Sequence, residues 1–177
     1  MLNLVANDIK ENELVYKHAV FVKKPESDYI CIRGISKNAV FKTEMDDTLE
    51  ENEIRLNPHQ KEVMWITDTR PNVSVNYVDI KEDEIVYLKE VKVGVYIDFN
   101  HASFTVGLTK TIENDIKTSL VGIPIYNNLK YSFKTGSDVP DLKGNRGRLQ
   151  KMYVLFHDIE KEKDMHYMIN KDTVFIK

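Results

Sequence analysis

Five histidines, His18, His59, His101, His157 and His166, are the side chains best suited to proton transfer or metal binding near neutral pH. No two stand four apart, as two ligands on one helix face of a zinc-protease motif would. His101-Ala102-Ser103-Phe104 has the His-x-Ser form that phosphodiester-cleaving sites use in duplicate, but nothing after His59, His157 or His166 repeats it. General acid–base work at His101 would need that second positioned group. The histidines are therefore expected to be surface or partly buried rings. No Gly-x-x-x-x-Gly-Lys-Ser/Thr occurs, so the chain does not cradle a nucleotide by a P-loop.

Charge narrows the remaining chemistry. The acidic run over residues 46–53 lacks the spaced ligands and central glycine of a calcium loop and reads as a solvated loop. The densest basic stretch is Gly144-Asn145-Arg146-Gly147-Arg148, flanked by Lys143 and Lys151. It is expected to be a solvated hairpin loop, the alternative being contact of Arg146 and Arg148 with an acidic partner, which the glycines would let approach closely. The net charge of −3 and pI of about 6.0 supply no global field toward nucleic acid or anionic lipid. Nucleic-acid binding is disfavoured.

With 177 residues, 42% of them hydrophobic, the chain can bury one ordinary core or two small ones. Its one cysteine, Cys31, lies in the apolar run Tyr29-Ile30-Cys31-Ile32, where it is expected to pack as a small hydrophobe in a reducing compartment. No apolar run is long enough to span a bilayer, and a cytoplasmic location is expected.

The elements that would position these residues are mostly strands. Residues 72–80 and 91–99 alternate apolar and polar side chains, joined through the charged Lys81-Glu82-Asp83-Glu84, and predict a hairpin. A second hairpin is predicted around Lys24-Pro25-Glu26-Ser27-Asp28, between the apolar run ending at Lys23 and the strand from Tyr29 to Arg33. Leu2 to Ala6 and Ala39-Val40-Phe41 read as further short strands. Beyond residue 100, Ile112, Ile116 and Leu120 form one stripe of a helix near residues 111–121, with Thr111 as its cap and Gly122 as its stop. Residues 130–134, 151–158, 166–169 and 173–176 read as four strands. The expectation is a β-rich α+β protein, a mainly β unit over 1–100 followed by a helix-plus-strands unit over 101–177.

This order and its wording resemble the N-terminal domain of the N-ethylmaleimide-sensitive fusion ATPase, within the wider group of AAA+ ATPase N-domains. The similarity rests on Leu2-Asn3-Leu4, on the turn and strand from Lys24 to Arg33, and on Pro58-His59-Gln60-Lys61 leading to Trp65. It continues through Tyr96-Ile97-Asp98-Phe99, Tyr131-Ser132-Phe133 and the closing Asp172-Thr173-Val174-Phe175-Ile176-Lys177. It spans nearly the whole chain through motifs that are individually short.

What the resemblance implies is a double-psi β-barrel subdomain over 1–100, an αβ-roll subdomain over 101–177, and a groove between them. It implies a non-catalytic module that recruits an α-SNAP-type adaptor, and through it SNARE complexes, for ATP-driven disassembly in vesicle fusion. No cofactor is expected in this chain; ATP and Mg would belong to the parent ATPase, a homohexamer, while the isolated domain would be a monomer without membrane insertion. The implied partner contacts are His59, Gln60 and Lys61 after Pro58, and Asn100 and His101 at the family's second basic site, with Arg146 and Arg148 added from the basic stretch. The N-domain of the valosin-containing ATPase, which binds ubiquitin-pathway cofactors, is the alternative within the group, and a stand-alone phosphoesterase using His101 is the alternative outside it.

Overall fold

Short β-branched and aromatic runs separated by charged turns favour pleated backbone over helix. The computed structural model describes residues 1–5, 17–34, 37–67, 72–99, 102–134 and 151–177. Within the first half lie β1 (Leu2–Leu4), β2 (Val20–Val22), β3 (Tyr29–Arg33), β4 (Asn38–Met45), β5 (Glu53–Arg55), helix α1 (Pro58–Met64) and β6 (Asn72–Val78). The six strands close a barrel in the order β1-β5-β2-β4-β3-β6. Closure leaves no open edge on the ring. Val20, Val22, Ile30, Ile32, Phe41 and Ile54 are buried and fill it.

The ring is mixed and has an internal symmetry. β1 runs parallel to β5 and β2 parallel to β4, while β1–β6, β2–β5, β3–β4 and β3–β6 are antiparallel. Exchanging β1 with β4, β2 with β5 and β3 with β6 turns each parallel pair into the other and reproduces the whole ring order.

The second half contains β7 (Ile85–Tyr87), β8 (Glu90–Phe99), β9 (Ala102–Val106), helix α2 (Lys110–Ser119), β10 (Tyr131–Ser132), β11 (Lys151–His157), β12 (His166–Met168) and β13 (Val174–Ile176). β8 is central to its sheet: β11 runs antiparallel along one edge, from Lys92 to Asp98, with β10 beyond it. Its other edge is shared by β13, parallel at Glu90 to Lys92, and β9, antiparallel at Val95 to Phe99. β7 and β12 form a separate parallel pair. A single cluster of buried apolar side chains runs from barrel residues such as Ile54 and Met64 to Ile116, Phe156 and Phe175 of this second lobe.

Both expected hairpins are corrected. β2 pairs with β4 and β5, and β3 turns back on β4 instead, from Tyr29↔Lys42 to Arg33↔Asn38. β6 closes the barrel between β1 and β3, whereas β8 lies in the other sheet, separated from it by a 3-10 turn at Glu82–Glu84 and by β7. Alternation specifies a face and leaves the neighbour open, and closing the ring engages both edges of β6. The barrel strands therefore end at Val78, ahead of the boundary expected near residue 100.

α2 follows its stripe, with Ile112, Ile116 and Leu120 buried, but Thr109 caps it in place of Thr111 by accepting from the Ile112 N–H at 3.2 Å. Gly122, at φ 69°, takes the left-handed conformation that follows the helix.

Candidate functional site

α1 is short, and its first turn is held by side chains. Asn57 accepts from the Gln60 N–H at 2.8 Å, and the Gln60 carboxamide oxygen accepts from the Asn57 N–H at 2.9 Å, with Pro58 in the first helical turn. This reciprocal capping box is written in the sequence as Asn57-Pro58-x-Gln60, a helix start among segments otherwise expected to be strands. The same two side chains reach outward: Asn57 Nδ2 donates to the Lys17 carbonyl and Gln60 Nε2 to the His18 carbonyl, at 2.9 and 2.8 Å. His18 Nε2 meets the Ser132 carbonyl at 2.8 Å and His59 Nδ1 meets the Lys130 carbonyl at 3.2 Å. A carbonyl only accepts, so each of these ring nitrogens carries the proton. A polar seam thus joins barrel, helix and second lobe.

Both imidazoles are held neutral. Burial lowers His18 to about 4, against which its bond to Ser132 acts weakly, and burial followed by the charge of Lys130 lowers His59 to about 4. Tyr126 crosses the same seam: its hydroxyl accepts from the Val40 N–H at 2.6 Å, and burial pushes its pKa up to about 12. Tyr131, fully buried, donates to the Pro124 carbonyl and accepts from the Tyr126 N–H.

Beside this seam lies an open cleft of about 320 Å³, within the size range of small binding sites. One wall is α1 with its C-terminal cap, contributing His59, Glu62, Val63 and the cap residue Trp65; the other residues are Lys37, just ahead of β4, and Asn127, Asn128 and Lys130 ahead of β10. Gly34 allows the β3–β4 connection to sit on α1, since a Cβ there would meet the Met64 carbonyl oxygen at 2.7 Å. Trp65 ends the helix in the left-handed conformation, at φ 56° and ψ 37°, with 67% of its surface exposed. Lys130 extends over the Tyr153 ring, its Nζ 4.8 Å from the centroid, and Tyr153 stacks on Tyr96 at 5.5 Å. The Tyr153 hydroxyl donates to Ser103 Oγ, which donates to Asp98 at 2.5 Å.

The expected contact residues separate. His59 lines the cleft, and Lys61 is half-buried on the same helix. Gln60 is corrected: it is 2% exposed, with its carboxamide occupied in the cap and on His18, so it serves as an internal joint. Asn100, His101, Arg146 and Arg148 lie outside the described residues. Sequence reasoning missed Lys37, Asn128 and Lys130, for which no local pattern gave a signal. Trp65 carried a signal as the single tryptophan of the chain.

Among the described residues no three His, Cys, Asp or Glu side chains are grouped to hold a metal ion, and no helix is long and apolar enough to cross a membrane. No family model matches the chain, and no curated protein matches its sequence.

Proposed function

We propose that this chain is a partner-binding module, the adaptor- and substrate-recruiting N-terminal domain of a AAA+ ATPase of the N-ethylmaleimide-sensitive fusion type. The observation that carries the reading is the open cleft between α1 of the barrel and the 127–130 segment of the second lobe, walled by an exposed indole and lysines. A large apolar side chain left in water at a concave junction suits a protein ligand better than it suits stability. The exchange symmetry of the ring, with each parallel pair inserted into the other half, supports a double-psi barrel, and the β8-centred sheet with α2 supports an αβ-roll partner. In this reading the module supplies binding and orientation, while ATP and Mg are handled elsewhere in a hexameric parent acting on SNARE complexes.

The test is retention of a purified α-SNAP-type adaptor on the immobilised chain at low ionic strength, with Trp65→Asn as the comparison because asparagine tolerates the left-handed backbone. Retention by the wild type, weakened about tenfold or more in the variant, is expected on the scale of an interface anchor. If the adaptor passes through unretained, the assignment is wrong.

A further inference from the structure

β9 is an edge strand without the usual protection. It pairs with β8 along one side, and among the described residues no strand meets the other. Exposed edges in monomers are commonly kept short, charged or interrupted by proline. β13, on the same side of β8, obeys this: it is three residues long and lies between Asp172 and Lys177. β9 does not. Residues 102–109 carry no charge and no proline in a chain that is 30% charged, and four of the five β9 residues are exposed. Phe104, at the centre of the strand, leaves 43% of its surface in water although it stands opposite the buried Ile97.

The register fixes which backbone groups face that free edge. The Val174 N–H donates to the Lys89 carbonyl at 2.9 Å, so the odd-numbered residues of β8 turn toward the side shared by β13 and β9. Unbroken pairing with β11 from Lys92 to Asp98 carries that alternation along the strand. Val95, Ile97 and Phe99 are therefore bonded to Val106, Phe104 and Ala102, and Ser103 and Thr105 turn their N–H and C=O groups outward. These groups are spaced symmetrically about Phe104. A second β9 laid antiparallel on this edge sets Ser103 opposite Thr105 as a hydrogen-bonded pair on either side of Phe104. Phe104 then faces Phe104 as the non-bonded pair, with Cα atoms about 4.5 Å apart and side chains at their closest. No like charges meet, and one strand supplies both halves, as a two-fold interface requires. An extended peptide from another protein would meet the same outward groups, but only a second copy is certain to match their symmetry.

We propose that two copies of this chain associate through β9, joining their β8 sheets into one continuous sheet across a two-fold axis at Phe104. This departs from the monomer that the resemblance implies. It rests on the sheet edge alone and is independent of the adaptor reading. Strands of five residues cover less than the roughly 1,200 Å² of a standard interface, so the association is reversible, with a Kd on the order of tens of micromolar.

Sedimentation equilibrium of the full chain tests this. The weight-average mass should rise with concentration from 20.6 kDa toward twice that value, while exchange of the Ser103 and Thr105 amides slows in step. Thr105→Pro removes an outward N–H and leaves the bonds to β8 in place, a substitution that an edge strand tolerates. It should weaken association at least about tenfold, because each dimer loses that bond twice. Phe104→Lys sets like charges face to face across the axis and should hold the chain monomeric, and an equal mixture of Phe104→Lys with Phe104→Glu should recover association. Circular dichroism and melting report whether each variant is folded, and the charge-swapped mixture decides the matter should the proline variant fail to fold. A wild type that stays at 20.6 kDa up to about 1 mM, or dimers formed equally by folded Thr105→Pro and Phe104→Lys, would overturn the proposal. So would a rise in mass without slowed exchange at Ser103 and Thr105, which would put the contact on another surface.

Discussion

His18 and His59 show how one residue type can be diverted from chemistry to structure. Each donates a ring proton to a carbonyl of the facing lobe, Ser132 or Lys130, and each is lowered from 6.5 to about 4 chiefly by burial. The folded state therefore resists a proton that the unfolded chain accepts. Their contribution to stability is complete above the unfolded pKa near 6.5 and is lost as pH falls toward about 4. Within that window the slope is up to about 1.4 kcal/mol per pH unit for each ring. Urea unfolding from about pH 7 down to about pH 5 should show this loss, and His59→Gln should flatten it. A wild type equally stable at both ends would contradict the burial argument. The same neutrality removes His59 as a cationic contact for a partner and leaves the positive charge of the cleft to Lys37 and Lys130, with Glu62 beside them.

At the scale of the element, α1 depends on its cap more than on its length. It has seven residues, and isolated helices that short do not persist in water. Asn57 is 7% exposed, holds the Gln60 N–H and reaches the Lys17 carbonyl. Asn57→Ala should cost about 2 kcal/mol, combining a lost cap with a buried carbonyl left short of a donor. Asn57→Ser, which keeps the capping oxygen, should recover part of it. Thermal melts of the two variants decide the point: equal destabilisation would mean that the cap contributes nothing. Because His59 lies on this helix and Trp65 caps its end, the alanine variant should also weaken adaptor retention. α2 behaves differently, since Ile112, Ile116 and Leu120 anchor it whichever threonine caps it.

At the scale of the molecule, the lobes share one apolar cluster and are pinned across it by tyrosines. Tyr126 belongs to the second lobe, accepts from the Val40 N–H of β4, and packs its ring against Phe41 with centroids 6.2 Å apart. Tyr126→Phe keeps the ring and strands that buried N–H. The expected cost is about 1–3 kcal/mol, with faster amide exchange at Val40 while the rest of the barrel stays protected. Exchange at Val40 matching the wild type would show that the hydroxyl does not fasten the lobes.

Strand content, the stripe and stop of α2, and the absence of a P-loop were all set by local pattern, because alternation, helical spacing and motif chemistry act over a few residues. The acidic run at 46–53 likewise behaves as a turn, in which Asp46 binds Thr48 and pairs with Arg55. The short helix α1 was also written locally, in the cap residues Asn57, Pro58 and Gln60. Pairing was not so written. β2 with β4, β6 with β1, and β8 with β11 join segments far apart in the chain, and each strand carries only its own face, so closure of the ring selected the neighbours. The cleft is the extreme case: Lys37, Trp65 and Lys130 come from three separate segments, and only the folded junction brings their charges and the indole to one place.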